Sequence, residues 1–106
     1  MNITDINSND VIYISGAVTD NIETAEARFG NMAKQLKELG FYNIINPYKM
    51  CEGFLYRARH SIYMGVCLKA LESADTIFML KGYECSVGAL IERDEAIRSG
   101  LNVVYE

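Results

Sequence analysis

Short apolar runs that alternate with amphipathic stretches constrain this chain more than any other feature of its sequence. The runs are VIYIS (11–15), FYNII (41–45), TIFML (76–80) and NVVY (102–105). Strands that are apolar throughout are typical of a parallel sheet that helices cover on both faces. The sequence therefore predicts buried strands that are joined by helical crossovers.

The segments between these runs place apolar residues at three- and four-residue steps, as amphipathic helices do. Helices are predicted over 22–39, 55–74 and 87–99. Asp20 and Glu23 are spaced as a capping box for the first helix, and Gly40 and Gly100 follow the first and third helices as stops. Residues 48–53 are predicted to form a loop.

This order of elements leaves few possible topologies. Crossovers between parallel strands are right-handed, and the simplest sheet order for four such strands is then 2-1-3-4. We therefore expect a three-layer α/β fold, flavodoxin-like or Rossmann-like, with helices on both faces of a parallel sheet. A chain of 106 residues is the size of one small domain, so residues 1–106 are predicted to form a single domain.

Charge and hydropathy exclude several classes of partner. The net charge of −4 argues against a nucleic-acid polymer as partner, since such proteins usually present a basic face. No run approaches the roughly 18 apolar residues of a membrane span, and the N-terminus lacks the pattern of a signal peptide. A small anionic ligand stays compatible, because helix N-termini bind anions without a surplus of basic residues.

Cysteine and histidine usage bears on metals and on the cellular compartment. The sequence has three cysteines, with no CxxC pair, and one histidine. These residues have no zinc-ligand spacing, so no metal site is predicted, and an odd number of cysteines suits a reducing cytoplasm. We expect no metal and a cytoplasmic protein.

Three loops should meet where ligands bind in such a fold, at the carboxyl ends of the strands near the reversal of strand order. They are the loop from Ser15 to Asp20, the loop from Lys81 to Ser86, and the residues from Asn46 onward. Ser86 lies at an expected helix N-cap, where its hydroxyl and the free backbone amides of the helix are able to hold a phosphate or carboxylate. On this local pattern alone, a plain helix cap is the favoured interpretation of Ser86.

Glu92 shares a predicted helix face with Ala89 and Ala96, because these residues lie three before and four after it. Small neighbours allow a helix to approach the sheet closely, which would bury the carboxyl group of Glu92. Burial without a nearby cation raises a carboxyl pKa, and such groups in clefts are candidates for function. Alternatively, Glu92 belongs to a solvated charged stretch with Arg93, Asp94 and Glu95. On the pattern alone, Asp75 is a loop or capping residue and Tyr13 is a core residue.

Several spaced motifs together resemble the nucleoside 2-deoxyribosyltransferase superfamily, and within it the short, often phage-associated, DUF4406-like members. The motifs are YISGA (13–17), INP (45–47), AD (74–75) and YECSVGALIERDEA (83–96), within a resemblance that extends from Val11 to Tyr105. Ala17 and Tyr83 replace the usual proline and tryptophan. The chain also ends just after the fourth strand, before the C-terminal extension that completes a neighbour's pocket in larger relatives. We therefore expect either a more open site or closure by the segment 48–60, which contains Tyr56, Arg57 and Arg59. For Arg57 and Arg59 themselves, a solvated helix start is the favoured interpretation.

The resemblance implies chemistry at the N-glycosidic bond between a base and a deoxyribose, without a cofactor. Glu92 matches the nucleophile, Asp75 an aspartate that helps place the substrate, and Tyr13 a tyrosine that hydrogen-bonds near the nucleophile. The remaining implied contacts with substrate are Gly16, Asn46, Tyr83, Ser86 and Gly88. Ser86 stands where similar 2′-deoxynucleoside 5′-monophosphate N-hydrolases bind phosphate with a serine, which favours a nucleotide over a nucleoside.

Other functions stay open at this point. The protein could be a hydrolase or a transferase, or a phage-derived protein that binds or sequesters a nucleotide without turnover, or an interaction domain with no ligand. The third helix also carries apolar residues on the face away from Glu92, namely Val87, Leu90, Ile91 and Ile97. We expect these residues to be covered in a homodimer or a higher homo-oligomer, with Asp94 and Arg98 spaced to form ion pairs beside them.

Overall fold

The computed structural model describes residues 1–17, 22–50 and 60–106. Its strands are β1 (Ile12–Ser15), β2 (Ile44–Ile45), β3 (Thr76–Met79) and β4 (Asn102–Tyr105). Its helices are α1 (Ile22–Glu38), α2 (Pro47–Met50), α3 (His60–Leu71) and α4 (Val87–Arg98), and short 3₁₀ turns occupy Ile3–Asp5 and Tyr83–Cys85. The predicted strand–helix alternation is therefore present.

The strands form one parallel sheet in the order β2-β1-β3-β4, which confirms the predicted fold class. β1 lies between β2 and β3, with Ile12 opposite Ile44 on one side and opposite Thr76 on the other. The chain leaves β1 toward β2 and then crosses back to β3, so the strand order reverses beside β1. That position is where this fold class binds ligands.

Alternate strand residues feed two separate cores on the two faces of the sheet. Ile12 and Ile14 of β1 pack with Phe29 and Leu36 of α1 on one face. Tyr13 of β1 packs on the other face, in the core that α3 and α4 cover. Strand side chains alternate between faces, so each strand contributes to both cores. The expected helices on both faces are confirmed.

The second strand is shorter than predicted. Phe41 follows Gly40, whose φ of +99° is left-handed, and the Phe41 backbone N–H donates to the Leu36 carbonyl oxygen at 3.0 Å. The chain therefore closes the end of α1 at Phe41, and the buried Phe41 ring fills the α1-side core instead of extending β2. Pairing with β1 is restricted to Ile44 and Ile45.

Helix α2 spans Pro47–Met50, whereas a loop was predicted over 48–53, so that prediction was wrong for residues 48–50. The Asn46 side-chain oxygen accepts a hydrogen bond from the Lys49 backbone N–H at 3.2 Å, and Pro47 occupies the first helical position. Asn-Pro is thus a helix start here rather than only the end of a strand. The first part of the predicted second helix, at 55–59, and the expected Asp20–Glu23 capping box lie outside the described residues and side chains.

Candidate active site

A pocket opens at the carboxyl edge of the sheet, beside the reversal of strand order. Its described lining comes from the end of β1, the start of α2, the helices α1 and α3, and the turn that leads into α4. The lining residues are Gly16, Phe29, Pro47, Tyr63, Met64, Cys85, Ser86, Val87, Gly88, Ala89 and Glu92. The structure therefore brings Gly16, Ser86, Gly88 and Glu92, all expected from the sequence, to one cavity.

Glu92 lies on the face of α4 that packs against the sheet. Ala89 and Ala96 on the same face are buried, and Glu92 itself is only 5% exposed although it lines the pocket. Small side chains at these positions let α4 approach the sheet closely, which places a carboxylate among apolar residues. The interpretation of Glu92 as a solvated surface residue is excluded by this burial.

Both carboxylate oxygens of Glu92 accept hydrogen bonds from β1. The Tyr13 hydroxyl donates to Oε2, and the Ser15 hydroxyl donates to Oε1 at 2.7 Å. Tyr13 and Ser15 are two residues apart on one strand, so they project to the same face of the sheet. Because both are fully buried, they contact Glu92 from behind rather than line the pocket.

The burial of Glu92 determines how its carboxyl group titrates. Burial raises the pKa of Glu92 from 4.5 to about 7, while the hydrogen bonds from Tyr13 and Ser15 act to lower it. Burial, followed by the adjacent Glu92 carboxylate, raises the pKa of Tyr13 far above its ordinary value. Tyr13 therefore remains a protonated donor at neutral pH, whereas Glu92 is divided between its ionised and neutral forms.

Ser86 is both a helix cap and part of the pocket wall. Its side-chain oxygen accepts a hydrogen bond from the Ala89 backbone N–H at 3.2 Å, which caps α4. The hydroxyl proton of Ser86 remains able to donate to a ligand. The first backbone N–H groups of a helix lack partners within the helix, and here those of Val87 and Gly88 belong to residues that line the cavity. This end of the pocket suits an anionic group.

Gly16 lies at the pocket, but its packing gives a different reason for glycine than ligand approach. A Cβ atom built on Gly16 would lie 2.9 Å from Leu80 Cδ1 and 3.0 Å from Leu80 Cβ. The contact with the end of the Leu80 side chain is shorter than real Cβ atoms show, and the contact with Leu80 Cβ is unusually tight. The close packing of Leu80 against the end of β1 therefore favours glycine at this position, whatever the pocket binds.

Asp75 lies at the opposite end of the sheet from the pocket. It precedes β3, is exposed, and its Oδ2 accepts a hydrogen bond from the Val11 backbone N–H at 2.8 Å. Asp75 thus ties the amino ends of β1 and β3 together. Asp75 precedes β3 and is not among the residues that line the pocket, so its expected role in placing the substrate stays a prediction that the described geometry does not support.

Tyr83 and Asn46 are near the pocket but are not among the residues that line it. The Tyr83 hydroxyl accepts a hydrogen bond from Arg93 at 3.1 Å, and its ring lies 5.6 Å from that of Tyr105. Asn46 caps α2. Both residues therefore shape the surroundings of the pocket in the structure, Tyr83 next to α4 and Asn46 before Pro47.

The sequence analysis missed two kinds of site residue. Ser15 was not identified as a partner of Glu92, although its position two residues after Tyr13 places it on the same strand face. The apolar walls Phe29, Pro47, Tyr63 and Met64 carry no local signal, because a wall residue has the same pattern as a core residue. Tyr56, Arg57 and Arg59, which were candidates to close the site, lie outside the described residues.

Neither a membrane-spanning helix nor a cluster of metal ligands is present in the described ranges 1–17, 22–50 and 60–106. None of the helices there combines the length and the apolar character needed to cross a bilayer. No group of three or more His, Cys, Asp and Glu side chains in these ranges is arranged to hold a metal ion.

The fold and the site together define a parallel α/β protein with a buried carboxylate in a pocket at the edge of its sheet. Residues 10–105 match the model of the domain of unknown function DUF4406, so the chain belongs to that family. No curated protein and no solved structure shows a significant match to the chain. The family assignment covers nearly the entire chain and carries no activity with it.

Proposed function

We propose that this protein cleaves or transfers the N-glycosidic bond of (deoxy)nucleoside 5′-monophosphates or nucleosides, with Glu92 as the nucleophile. The observation that carries this proposal is the Glu92 carboxylate, which is buried, lines the pocket and is held by the Tyr13 and Ser15 hydroxyls. A desolvated carboxylate in a fixed orientation is the group that retaining glycosidases use against an anomeric carbon.

The proposed reaction has two steps. Ionised Glu92 attacks the anomeric carbon of the sugar, a bond forms between that carbon and a carboxylate oxygen, and the base departs with the electron pair of the broken C–N bond. Water or a second base then attacks the same carbon and releases the carboxylate, and the proton that this nucleophile loses balances the proton that the departed base gains. The sugar carries positive charge in both transition states, and the negative charge of the carboxylate stabilises it at short range.

The remaining lining residues support a nucleotide as the substrate. Tyr63 is half-buried and provides aromatic surface for a flat base, and the buried Phe29 and Met64 make the surrounding wall apolar. Ser86 and the start of α4 provide a hydroxyl and backbone N–H groups for a 5′-phosphate. A serine tolerates a phosphate dianion where a carboxylate would repel it, which favours monophosphates over free nucleosides.

Release of free base tests this function directly. Nucleosides and their 5′-monophosphates, in deoxy and ribo forms, are incubated with the protein, and the free base is measured by liquid chromatography. We expect release with a preference for monophosphates, and a loss of at least about 1,000-fold in Glu92→Gln. Asp94→Asn is the matched control, because Asp94 is an exposed carboxylate on the same helix. Equal rates in wild type and Glu92→Gln would reject Glu92 as the nucleophile.

A second candidate function is nucleotide binding without turnover, as in a sequestering protein. The pKa of Glu92, which is about 7, favours such binding without turnover. At neutral pH, part of the Glu92 carboxyl population is protonated and able to donate a hydrogen bond to a ribose hydroxyl. Calorimetric titration with the same monophosphates separates the two functions. Tight binding by wild type, with no base released over hours, would identify the binder.

We also propose that the protein acts in the cytoplasm as a homodimer that is built partly on α4. Ala89, Glu92 and Ala96 pack inward as predicted, and this leaves Val87 70% and Ile97 56% exposed, with Ile91 also exposed. Apolar side chains grouped on one helix favour a covered face. The ion pairs expected beside this face involved Asp94 and Arg98. In the single chain, Arg98 pairs with Glu95 at 2.8 Å instead.

A further inference from the structure

The hydrogen bonds to Glu92 come from one short stretch of β1. Tyr13 and Ser15 are both fully buried, and each donates to a different oxygen of the same carboxylate. Ser15 is also fixed through its backbone, because its carbonyl oxygen accepts a hydrogen bond from the Leu80 N–H at 2.8 Å. The donors are therefore attached to the centre of the sheet and not to a loop.

We propose that Ser15 is a positioning residue that, together with Tyr13, binds the ionised form of Glu92 from the strand side and directs its remaining lone pairs into the pocket. An ionised carboxylate has about four acceptor positions on its two oxygens. One position on each oxygen is occupied by a hydroxyl of β1. The positions left on each oxygen are available to a substrate that enters the cavity.

The surroundings of Glu92 leave these hydroxyls as its principal stabilising partners. The described titratable groups around it on other elements are Tyr13 on β1, which bonds to it, and Tyr63 and Cys85, which line the same pocket. Cys67 on α3 is fully buried in the same core and interacts with Tyr13. On α4 itself, Arg93 contacts Tyr83 and lies over the Tyr83 ring. The causes that lower the pKa of Glu92 against its burial are the hydrogen bonds from Tyr13 and Ser15.

Removal of one hydroxyl should therefore make the neutral form of Glu92 more favourable. A hydrogen bond to a charged group contributes enough that its loss moves a carboxyl titration upward by about one pH unit. Below its midpoint, this change reduces the ionised fraction about tenfold. Because Ser15 does not line the pocket, the loss should fall on kcat and leave KM nearly unchanged.

The first test follows the Glu92 carboxyl group without any substrate. Protein labelled with carboxyl-¹³C glutamate is titrated by NMR, and the Glu92 signal is identified by its absence in Glu92→Gln. We expect an upward shift of about one pH unit in Ser15→Ala and in Tyr13→Phe, and a smaller shift in Ser15→Cys, where a weak donor remains. An unchanged Glu92 midpoint in folded Ser15→Ala would overturn the proposal. If Ser15→Ala does not fold, unchanged midpoints in Ser15→Cys and Tyr13→Phe would overturn it.

Thr76→Val is the matched control for this titration. Thr76 is a fully buried hydroxyl residue on the adjacent strand β3, and its oxygen accepts from Asn102 at 3.4 Å rather than contacting Glu92. We expect its Glu92 midpoint to equal that of wild type. A shift of the same size in Thr76→Val would show that any buried hydroxyl acts in this way, and would overturn a specific role for Ser15.

The second test measures base release against pH, and this part rests on the proposed function. The rising limb of kcat/KM reports the free enzyme, so it should move to higher pH in Ser15→Ala by the amount that the NMR titration shifts. Failure of wild type to release base would remove the proposed function but would leave the titration result standing. Shifted titration with an unshifted activity profile would show that Ser15 does not act on the reaction through Glu92.

Discussion

The two faces of strand β1 are both completely buried, yet they serve different purposes. Ile12 and Ile14 point into an apolar core with α1, whereas Tyr13 and Ser15 point toward α4 and bind the Glu92 carboxylate. Burial of apolar surface stabilises the fold, while burial of a carboxylate opposes folding unless the group is neutral or well paired. The comparison indicates that burial on the α1 side stabilises the fold, and that burial of the Glu92 carboxylate on the α4 side lowers this stability.

The largest effect on stability should come from the α1-side core. Leu36 is almost fully buried there, so Leu36→Ala should lower the free energy of unfolding by about 2–5 kcal/mol. Urea unfolding measures this loss. Because Leu36 lies on the opposite face from Glu92, the NMR titration of Glu92 should stay unchanged in the folded variant. A shifted titration would show that the two faces are not independent.

The next largest effect should come from the buried Glu92 carboxylate, which lowers the free energy of unfolding when it is ionised. The pKa of Glu92 is raised in the folded state from 4.5 to about 7, so the folded protein retains this proton when the unfolded chain has already lost it. Stability should therefore fall as pH rises from about 4.5 to about 7 and then level off, by about 3 kcal/mol for this group. The Glu92→Gln variant has no ionisable side chain at this position, so its free energy of unfolding should exceed that of wild type at pH 8.

The measurement is urea unfolding of wild type and Glu92→Gln at several pH values between 4 and 8. Only the difference between the two proteins reports on Glu92, since other groups titrate in both. A constant difference across this range would mean that Glu92 is ionised with an ordinary pKa, and the contrast between the faces would lose its electrostatic basis.

A smaller effect should follow from a methyl group at the end of β1. Gly16→Ala brings a Cβ against Leu80, which should cost about 1–3 kcal/mol of stability. Gly30→Ala is the matched control, because Gly30 lies within α1 with open space around it, and should stabilise the protein by about 0.5–1 kcal/mol. If Gly16 instead serves ligand approach, Gly16→Ala will keep its stability and lose affinity for nucleotide.

The smallest effect on the single chain should come from the outer face of α4. Val87→Ser combined with Ile91→Ser changes exposed side chains, so monomer stability should change by no more than about 0.5 kcal/mol each. The sedimentation coefficient should nevertheless change from that of a dimer to that of a monomer. A wild-type monomer at micromolar concentration would reject the proposed homodimer.

Particular residues show how far sequence reasoning extends. The strand order followed from apolar runs and crossover handedness, and the inward face of α4 followed from the spacing of Ala89, Glu92 and Ala96. The length of β2 could not be predicted in this way, because an apolar residue such as Phe41 fits both a longer strand and a core residue that follows the end of a helix. Asn46-Pro47 was interpreted as a strand end because a stop signal and a helix N-cap share the same residues.

The candidate site divides in the same way. Helix spacing and a cap position, which are local properties of the chain, made Glu92 and Ser86 candidates, and the family resemblance implied their roles. Asp75 was placed in the site by resemblance, although a residue that precedes a strand lies at the opposite edge from one that follows it. Ser15 was missed because its partner is 77 residues away in the sequence.

The sequence by itself determined the layers of this protein, since continuous apolar runs and a hydropathy period of about 3.6 are local patterns that specify which strands and which helix faces must be buried. Only the tertiary structure decided which buried polar groups meet. The hydrogen bonds of Tyr13 and Ser15 to Glu92 depend on how closely α4 approaches β1, and that distance depends on the packing of small residues across both elements. Local periodicity contains no information about such a distance, and the chemistry of the site depends on it.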